Sequence, residues 1–101
     1  MGAGFVAILT AELHFPEAGS LKAKRHHLRS ARDTLRSRFG AAVAEVDHHD
    51  LWQRSTVTVA VVARDAGGAT QLADGAERWL ASGDWVLARC DRLLVAPDDE
   101  Q

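Results

Sequence analysis

The sequence predicts an α+β fold, a four-stranded antiparallel sheet with two helices on one face. The 101 residues have the size of a single small domain. Runs of apolar and β-branched residues indicate four strands, and two amphipathic segments with capping residues indicate two helices. Their order is β-α-β-β-α-β, that of the ferredoxin-like sandwich, in which two right-handed crossovers share a central hairpin.

The first three elements are marked by apolar runs and by the turn residues between them. The run GFVAILTAEL predicts strand 1 over about residues 4–14, before the turn-forming run FPEAGS. Ser20 is a favourable N-cap for helix 1, over about residues 21–38, and Gly40 stops that helix. The run AAVAEVD predicts strand 2 over about residues 41–48.

The last three elements follow the same signals. STVTVAVVA predicts strand 3 over about residues 55–63. Asp65 can cap helix 2, over about residues 66–82, and Gly83 ends it. WVLARCDRLLV predicts strand 4 over about residues 85–95. We therefore expect a single ferredoxin-like domain over residues 1–96, followed by an acidic C-terminal tail over residues 97–101.

Alternation along the strands predicts which side of the sheet the helices cover. One set of side chains in strand 1 is apolar throughout and should face the helices: Phe5, Ala7, Leu9, Ala11 and Leu13. In strand 3 the inward set should be Val57, Val59 and Val61. The uncovered face should carry polar side chains, namely Thr10, Glu12, Glu45, Asp47, Thr56 and Thr58. Such a face can be exposed to water or can pair with a second copy of the chain as a homodimer, and it lacks the aromatic residues on which an RRM stacks bases.

Composition limits the class of protein. The chain is 47% hydrophobic and 26% charged, which is ordinary for a globular domain. Cys90 is the single cysteine, so no intrachain disulfide can form, as is typical of a reducing compartment. No apolar run approaches the roughly 20 residues of a membrane span, and the start lacks the features of a signal peptide. We expect a cytoplasmic protein without a membrane association.

Positive charge is concentrated on helix 1. Residues 20–39 carry seven Lys or Arg side chains and one acid, a net charge of +6 in a chain whose formal net charge is −2, so the remainder carries −8. On a helical wheel, five of these cations fall in one row beside the apolar side. We call this row the basic stripe: Lys22, Arg25, Arg29, Arg32 and Arg36. Like charges at this spacing repel each other.

Two interpretations of the basic stripe remain open. It can be a ridge that binds a polyanion, above all an RNA backbone, or a solvated helix face that carries charge without a ligand. Lys24 lies toward the apolar side of the wheel, where it is expected to snorkel or to pair with an acid on the sheet. On the first interpretation the nucleic-acid-binding residues are Lys22, Lys24, Arg25, Arg29, Arg32 and Arg36.

The segment EVDHHDLWQR also stands out. Its two His and two Asp residues suggest a metal site, but neighbours on a strand point to opposite faces, so the spacing favours a structured hairpin without a metal. Asp50 can cap the turn through its own backbone. Trp52 either covers the end of the core or is exposed as an interface or base-stacking residue, and the first reading is preferred. We find no nucleophile–base pair or phosphate loop, and we expect a protein that is not an enzyme and binds no cofactor.

Two blocks, ELHFPEAGSLKAKRHHLRS and VAEVDHHDLWQRSTVTVAVV, resemble the YlxP-like family of small bacterial proteins, a domain of unknown function. The resemblance implies a ferredoxin-like fold and a cytoplasmic protein. Members are often encoded beside translation-initiation and ribosome-maturation genes, which implies an association with ribosomal RNA or the ribosome. Ala23 departs from the pattern, because an acid is common there. Residues that match the family's blocks are Lys22, Lys24, Arg25, Asp47, Asp50, Leu51, Trp52, Gln53 and Arg54.

The predicted function is therefore that of a non-enzymatic RNA- or ribosome-associated factor that binds the phosphate backbone through helix 1. The alternative is a homodimeric protein-interaction module, formed through the open sheet face, that does not bind nucleic acid. In either case the second unusual segment supplies a set of candidate partner-binding residues: Asp47, Asp50, Trp52 and Arg54.

Overall fold

A computed structural model describes residues 2–97 and contains six elements in the predicted order. The strands are β1 (Phe5–His14), β2 (Ala42–Asp47), β3 (Arg54–Ala63) and β4 (Val86–Val95), and the helices are α1 (Leu21–Phe39) and α2 (Ala66–Ala81). Every predicted boundary lies within one residue of the observed one, and the ferredoxin-like fold class is confirmed. Of the predicted acidic tail, residues 98–101 lie outside the described residues. Within residues 2–97 neither helix combines the length and the apolar character needed to cross a membrane.

The four strands form one antiparallel sheet in the order β2-β3-β1-β4. β1 lies in the centre, where Leu9 is opposite Val59 of β3 and Arg92 of β4. β2 and β4 are the two edges. This order places α1 over the β2 edge and α2 over the centre and the β4 edge.

The core lies between the sheet and the two helices. The predicted inward residues of β1 and β3 are buried, with Phe5 only partly so. α2 contributes Ala69, Ala73 and Ala76, whose small side chains let this helix approach the sheet closely, and Leu80 fills the space beyond them. Full burial of one such leucine side chain stabilises the fold by roughly 1.5–3 kcal/mol.

Capping side chains fix where the helices begin and end. The Ser20 hydroxyl accepts a hydrogen bond from the Ala23 amide at 3.1 Å, and the Asp65 carboxylate accepts one from the Gly68 amide at 2.7 Å. Gly40 ends α1 with a φ of 64°, a left-handed conformation that glycine adopts without a steric penalty. The caps thereby set the position of the basic stripe relative to the sheet.

The open face of the sheet is less polar than the sequence analysis expects. Val62 and Leu93 are 67% and 59% exposed, and the strand register places Ile8 between Ala60 and Leu93. One half of this face is therefore apolar, and the expected polar side chains other than Glu45 occupy the other half.

The prediction that Glu45 lies on the open face is wrong. Glu45 pairs with Val57, whose side chain faces the helices, and the register then shifts so that Asp47 pairs with Thr56. A bulge at Val46 separates two residues that strict alternation would place on the same face. Glu45 consequently points toward α1, while Asp47 remains on the open side.

Candidate nucleic-acid interface

All five residues of the basic stripe are exposed along one side of α1. Within residues 2–97, the only stripe residue with a carboxylate within 4 Å is Arg36, whose guanidinium lies 3.8 Å from Asp33. Both side chains of that pair are more than half exposed, and such surface pairs contribute little. The stripe therefore presents a row of cations that the described part of the molecule leaves almost uncompensated.

Lys24 does not belong to this surface. Its side chain is 1% exposed, so the prediction that it binds nucleic acid is wrong, whereas the prediction that it pairs with an acid on the sheet is confirmed. The ammonium group donates to the Glu45 carboxylate at 2.9 Å. It also donates to three backbone carbonyl oxygens, of His48 at 2.7 Å, Arg54 at 3.2 Å and His49 at 3.3 Å. Lys24 thus joins α1 to the connection between β2 and β3.

The connection between β2 and β3, residues 47–54, is called the hairpin tip. His48 has a φ of 64°, and its amide donates to the Asp47 carboxylate at 2.7 Å. The Leu51 amide closes a turn by donating to the His48 carbonyl at 3.2 Å. Asp47, and not Asp50 as expected, thus supplies a side-chain hydrogen bond to the backbone of the tip.

A second set of contacts joins the hairpin tip to the loop between β1 and α1. The Phe15 amide donates to the Gln53 carbonyl at 2.9 Å, and the Gln53 side chain donates to the Pro16 carbonyl at 3.3 Å. Together with the Lys24 contacts, these bonds hold the tip from two sides. These hydrogen bonds agree with the expected structured hairpin.

The hairpin tip is exposed on its outer surface. Trp52 is 53% exposed and Leu51 is 44% exposed, so the prediction that Trp52 covers the core is wrong. The physical reason is that Phe15 and Trp85 already close this end of the core, with ring centroids 6.0 Å apart and both side chains buried. Trp52 lines a shallow surface hollow together with the candidate partner-binding residues Asp50 and Arg54, whereas Asp47 is exposed but does not line it.

The His and Asp residues of the tip do not converge. His48 lies 3.9 Å from the Asp47 carboxylate through its Nε2 atom. Nowhere in the described range do three His, Cys, Asp or Glu side chains lie close enough to share a metal ion.

A groove between α1 and the edge strand β2 was not anticipated from the sequence. It encloses about 230 Å³, and we call it the α1–β2 groove. Its floor is apolar, with Leu28 and Leu35 on the helix side and Val43 on the strand side. Three arginines of the basic stripe and the Glu45 carboxylate also line it; the arginines are Arg25, Arg29 and Arg32.

Two features of the sequence indicate part of this groove. Val43 and Glu45 alternate on β2, and the basic stripe lies beside the apolar side of α1. The groove arises because α1 lies over the sheet edge, where no further strand continues the floor. The groove depends on the distance between α1 and β2 in the folded protein. The residue pattern within either element does not indicate that distance.

Comparisons with known proteins identify the family. The family model described as "Protein of unknown function (DUF503)" matches residues 6–90. The "Uncharacterized protein YlxP" of Bacillus subtilis (strain 168) is 35% identical over 46 residues, 46% of this chain and half the length of that protein. Among solved structures, the "De novo designed protein Ferredog-Diesel" matches with a TM-score of 0.44 and 14% identity, over 92% of this chain and 86% of that one. Since the family model spans most of the sequence, the chain belongs to the DUF503 family, and it is similar to YlxP.

Proposed function

We propose that this protein is a non-enzymatic RNA- or ribosome-associated factor that binds the phosphate backbone through the basic stripe. The observation that supports this proposal is the row of exposed, almost uncompensated cations on α1. Arginines elsewhere provide a contrast. Arg92 on β4 donates to Asp74 at 2.6 Å and to Glu77 at 2.8 Å, and Arg89 lies 2.9 Å from Asp91. Four of the five stripe residues lack a carboxylate within 4 Å among the described residues, and the stripe is distinguished by having its cations in one exposed row.

The chemistry of the stripe suits a chain of phosphates. Guanidinium groups present planar pairs of donors that match phosphate oxygens. Arg25 and Arg29 are four residues apart, and so are Arg32 and Arg36, which corresponds to a rise of about 6 Å along the helix. The whole stripe, from Lys22 to Arg36, extends over about 21 Å. Contacts of this kind give affinity and little sequence specificity.

The test is binding to ribosomal RNA fragments across a salt series. With about four phosphate contacts to single strands, the logarithm of the association constant should fall with the logarithm of salt concentration with a slope of about −3. Combining Arg25→Glu, Arg29→Glu and Arg32→Glu should abolish most binding. The matched control combines Arg64→Glu, Arg78→Glu and Arg89→Glu, which makes the same change in net charge on exposed arginines outside α1.

The control separates a specific surface from general attraction to net positive charge. If the stripe is the binding surface, the control retains most of the affinity and the stripe variant does not. Equal losses in the two variants, or a wild-type interaction that is insensitive to salt, would overturn the proposal.

A second candidate function is a homodimeric protein-interaction module. The observation that favours it is the apolar half of the open sheet face, where Val62 and Leu93 are both more than half exposed. An antiparallel sheet can be exposed to water on a polar face, but several exposed apolar side chains on one face are typical of contact surfaces. On this reading the basic stripe carries charge without binding nucleic acid.

A further inference from the structure

We propose that the α1–β2 groove holds one unpaired base of a single-stranded RNA whose phosphates lie on the basic stripe. This inference rests on the proposed function and adds the form of RNA and a base preference. Its basis is that arginines of the stripe also form part of the groove lining, above an apolar floor. A strand that runs along the stripe therefore passes the mouth of the groove.

The groove suits a planar heterocycle. Its volume of about 230 Å³ is smaller than that of pockets for drug-sized ligands, roughly 300–1,000 Å³. Leu28 and Val43, which are partly exposed, offer apolar contact to the faces of a base, and the guanidinium groups of Arg25 and Arg29 can stack on it.

Glu45 supplies a polar group that can distinguish one base from another. Its Oε2 atom accepts hydrogen bonds from Lys24 at 2.9 Å and from the Ser55 hydroxyl at 2.6 Å. Within residues 2–97 the Oε1 atom has no hydrogen-bond partner, and Glu45 lines the groove. An ionised carboxylate accepts hydrogen bonds and does not donate them.

The base preference follows because the Glu45 carboxylate can accept a hydrogen bond and cannot donate one. Cytosine presents an amino donor at the position where uracil presents a carbonyl acceptor, and a carboxylate pairs with the amino group. We therefore expect cytosine to be held more tightly than uracil. The RNA must be single-stranded, because the bases of an A-form duplex are paired and side chains do not reach into its deep major groove.

The experiment compares short RNA oligonucleotides of equal length and equal phosphate number: oligo-C, oligo-U, an abasic strand and a duplex. We expect wild-type protein to bind oligo-C about tenfold or more tightly than the abasic strand at the same salt concentration, with oligo-U between them and the duplex close to the abasic strand.

A groove-filling variant provides the second arm. Val43→Phe places a ring in the groove without changing any charge, and it should reduce binding of oligo-C to that of the abasic strand while leaving the salt slope unchanged. The matched control is Val62→Phe on the open face, which should behave as the wild type. Thermal unfolding of both variants shows whether they are folded; if Val43→Phe is not, the oligo-C and abasic comparison decides alone.

The outcomes separate the groove from the stripe. Equal binding of oligo-C and the abasic strand by wild-type protein overturns the groove and leaves the proposed phosphate binding in place. Absence of binding to every RNA at low salt overturns both. Binding of poly-glutamate as tight as that of oligo-C, and lost in Val43→Phe, would assign the groove to an acidic protein segment and overturn the inference.

Discussion

At the scale of single residues, Lys24 holds more groups near the candidate interface in place than any exposed cation does. One buried ammonium group contacts the Glu45 carboxylate and the backbone of the hairpin tip. The helical wheel predicts that Lys24 snorkels or pairs with an acid on the sheet, and alternation on β2 places Glu45 on the opposite face. The first inference is confirmed and the second is wrong, so the lysine itself was the better indicator of where Glu45 points.

Replacing Lys24 tests this organisation. Lys24→Met leaves the Glu45 carboxylate without its cation and three backbone carbonyls without their donor, so we expect a loss of about 3 kcal/mol in the free energy of unfolding. The measurement is urea denaturation, with the midpoint and slope fitted for each protein. Lys22→Met, on the exposed stripe, is the control and should change stability by no more than about 0.5 kcal/mol. A Lys24 variant as stable as that control would contradict the buried network.

Cys90 on β4 provides a prediction of pH dependence. Burial raises the pKa of its thiol from 9.0 to about 11, and the negative charge of Glu77 on α2 adds to this effect. At pH 8 the folded protein should therefore contain roughly 100-fold less thiolate than the unfolded chain. Iodoacetamide alkylation should be slower in that proportion, and its rate should rise with pH until about 11.

The same shift determines a change in stability. Because the folded pKa is raised, the contribution of the thiol is fully present below pH 9 and is lost as the pH rises toward about 11. Glu77→Gln removes one cause of the shift and should accelerate alkylation. Equal alkylation rates for folded and urea-unfolded protein at pH 8 would contradict the raised pKa of this partly buried thiol.

At the scale of elements, the sequence predicts all six segments because local signals and tertiary structure agree. The side chains of Ser20 and Asp65 cap the two helices as their positions indicate, and Gly40 ends α1. Val57, Val59 and Val61 of β3 alternate with less buried residues, since one face is buried and the other is open. Where propensity, capping and periodicity all favour one structure, little is left for tertiary contacts to alter.

β2 shows which features of the structure cannot be predicted from local sequence signals. Its small, mixed residues define neither face strongly, and a bulge at Val46 moves Asp47 out of step with Glu45. The bulge is a feature of the pairing with β3, so it cannot be read from β2 alone. The basic stripe on α1 could be predicted because helical periodicity alone places its residues on one side of the helix. No contact with another element is needed to locate them.

At the scale of the whole molecule, charge and apolar surface are segregated. The cations of α1 lie above the β2 edge, while the exposed valine and leucine side chains Val62 and Leu93 lie on the opposite side of the sheet. The two candidate functions therefore use different surfaces, and variants on one leave the other intact.

The second candidate function predicts a dimer in the absence of RNA. Sedimentation velocity of the pure protein should then give a dimer, and Val62→Asp combined with Leu93→Asp should give monomers, because the apolar half of the open face would carry buried charges. Leu51→Asp on the hairpin tip is the control and should remain dimeric. A monomeric wild-type protein at micromolar concentration would overturn this function.

The position of α1 over an edge strand has one more consequence. β2 contains neither lysine nor proline, the residues with which sheet edges commonly discourage unwanted strand addition. Two molecules that joined their sheets through β2 would bring two rows of guanidinium groups into opposition, and the repulsion would resist fibre-like assembly. The cations of the helix thus add to the bulge at Val46 and the inward-pointing Glu45 carboxylate in protecting this edge, whatever ligand they also attract.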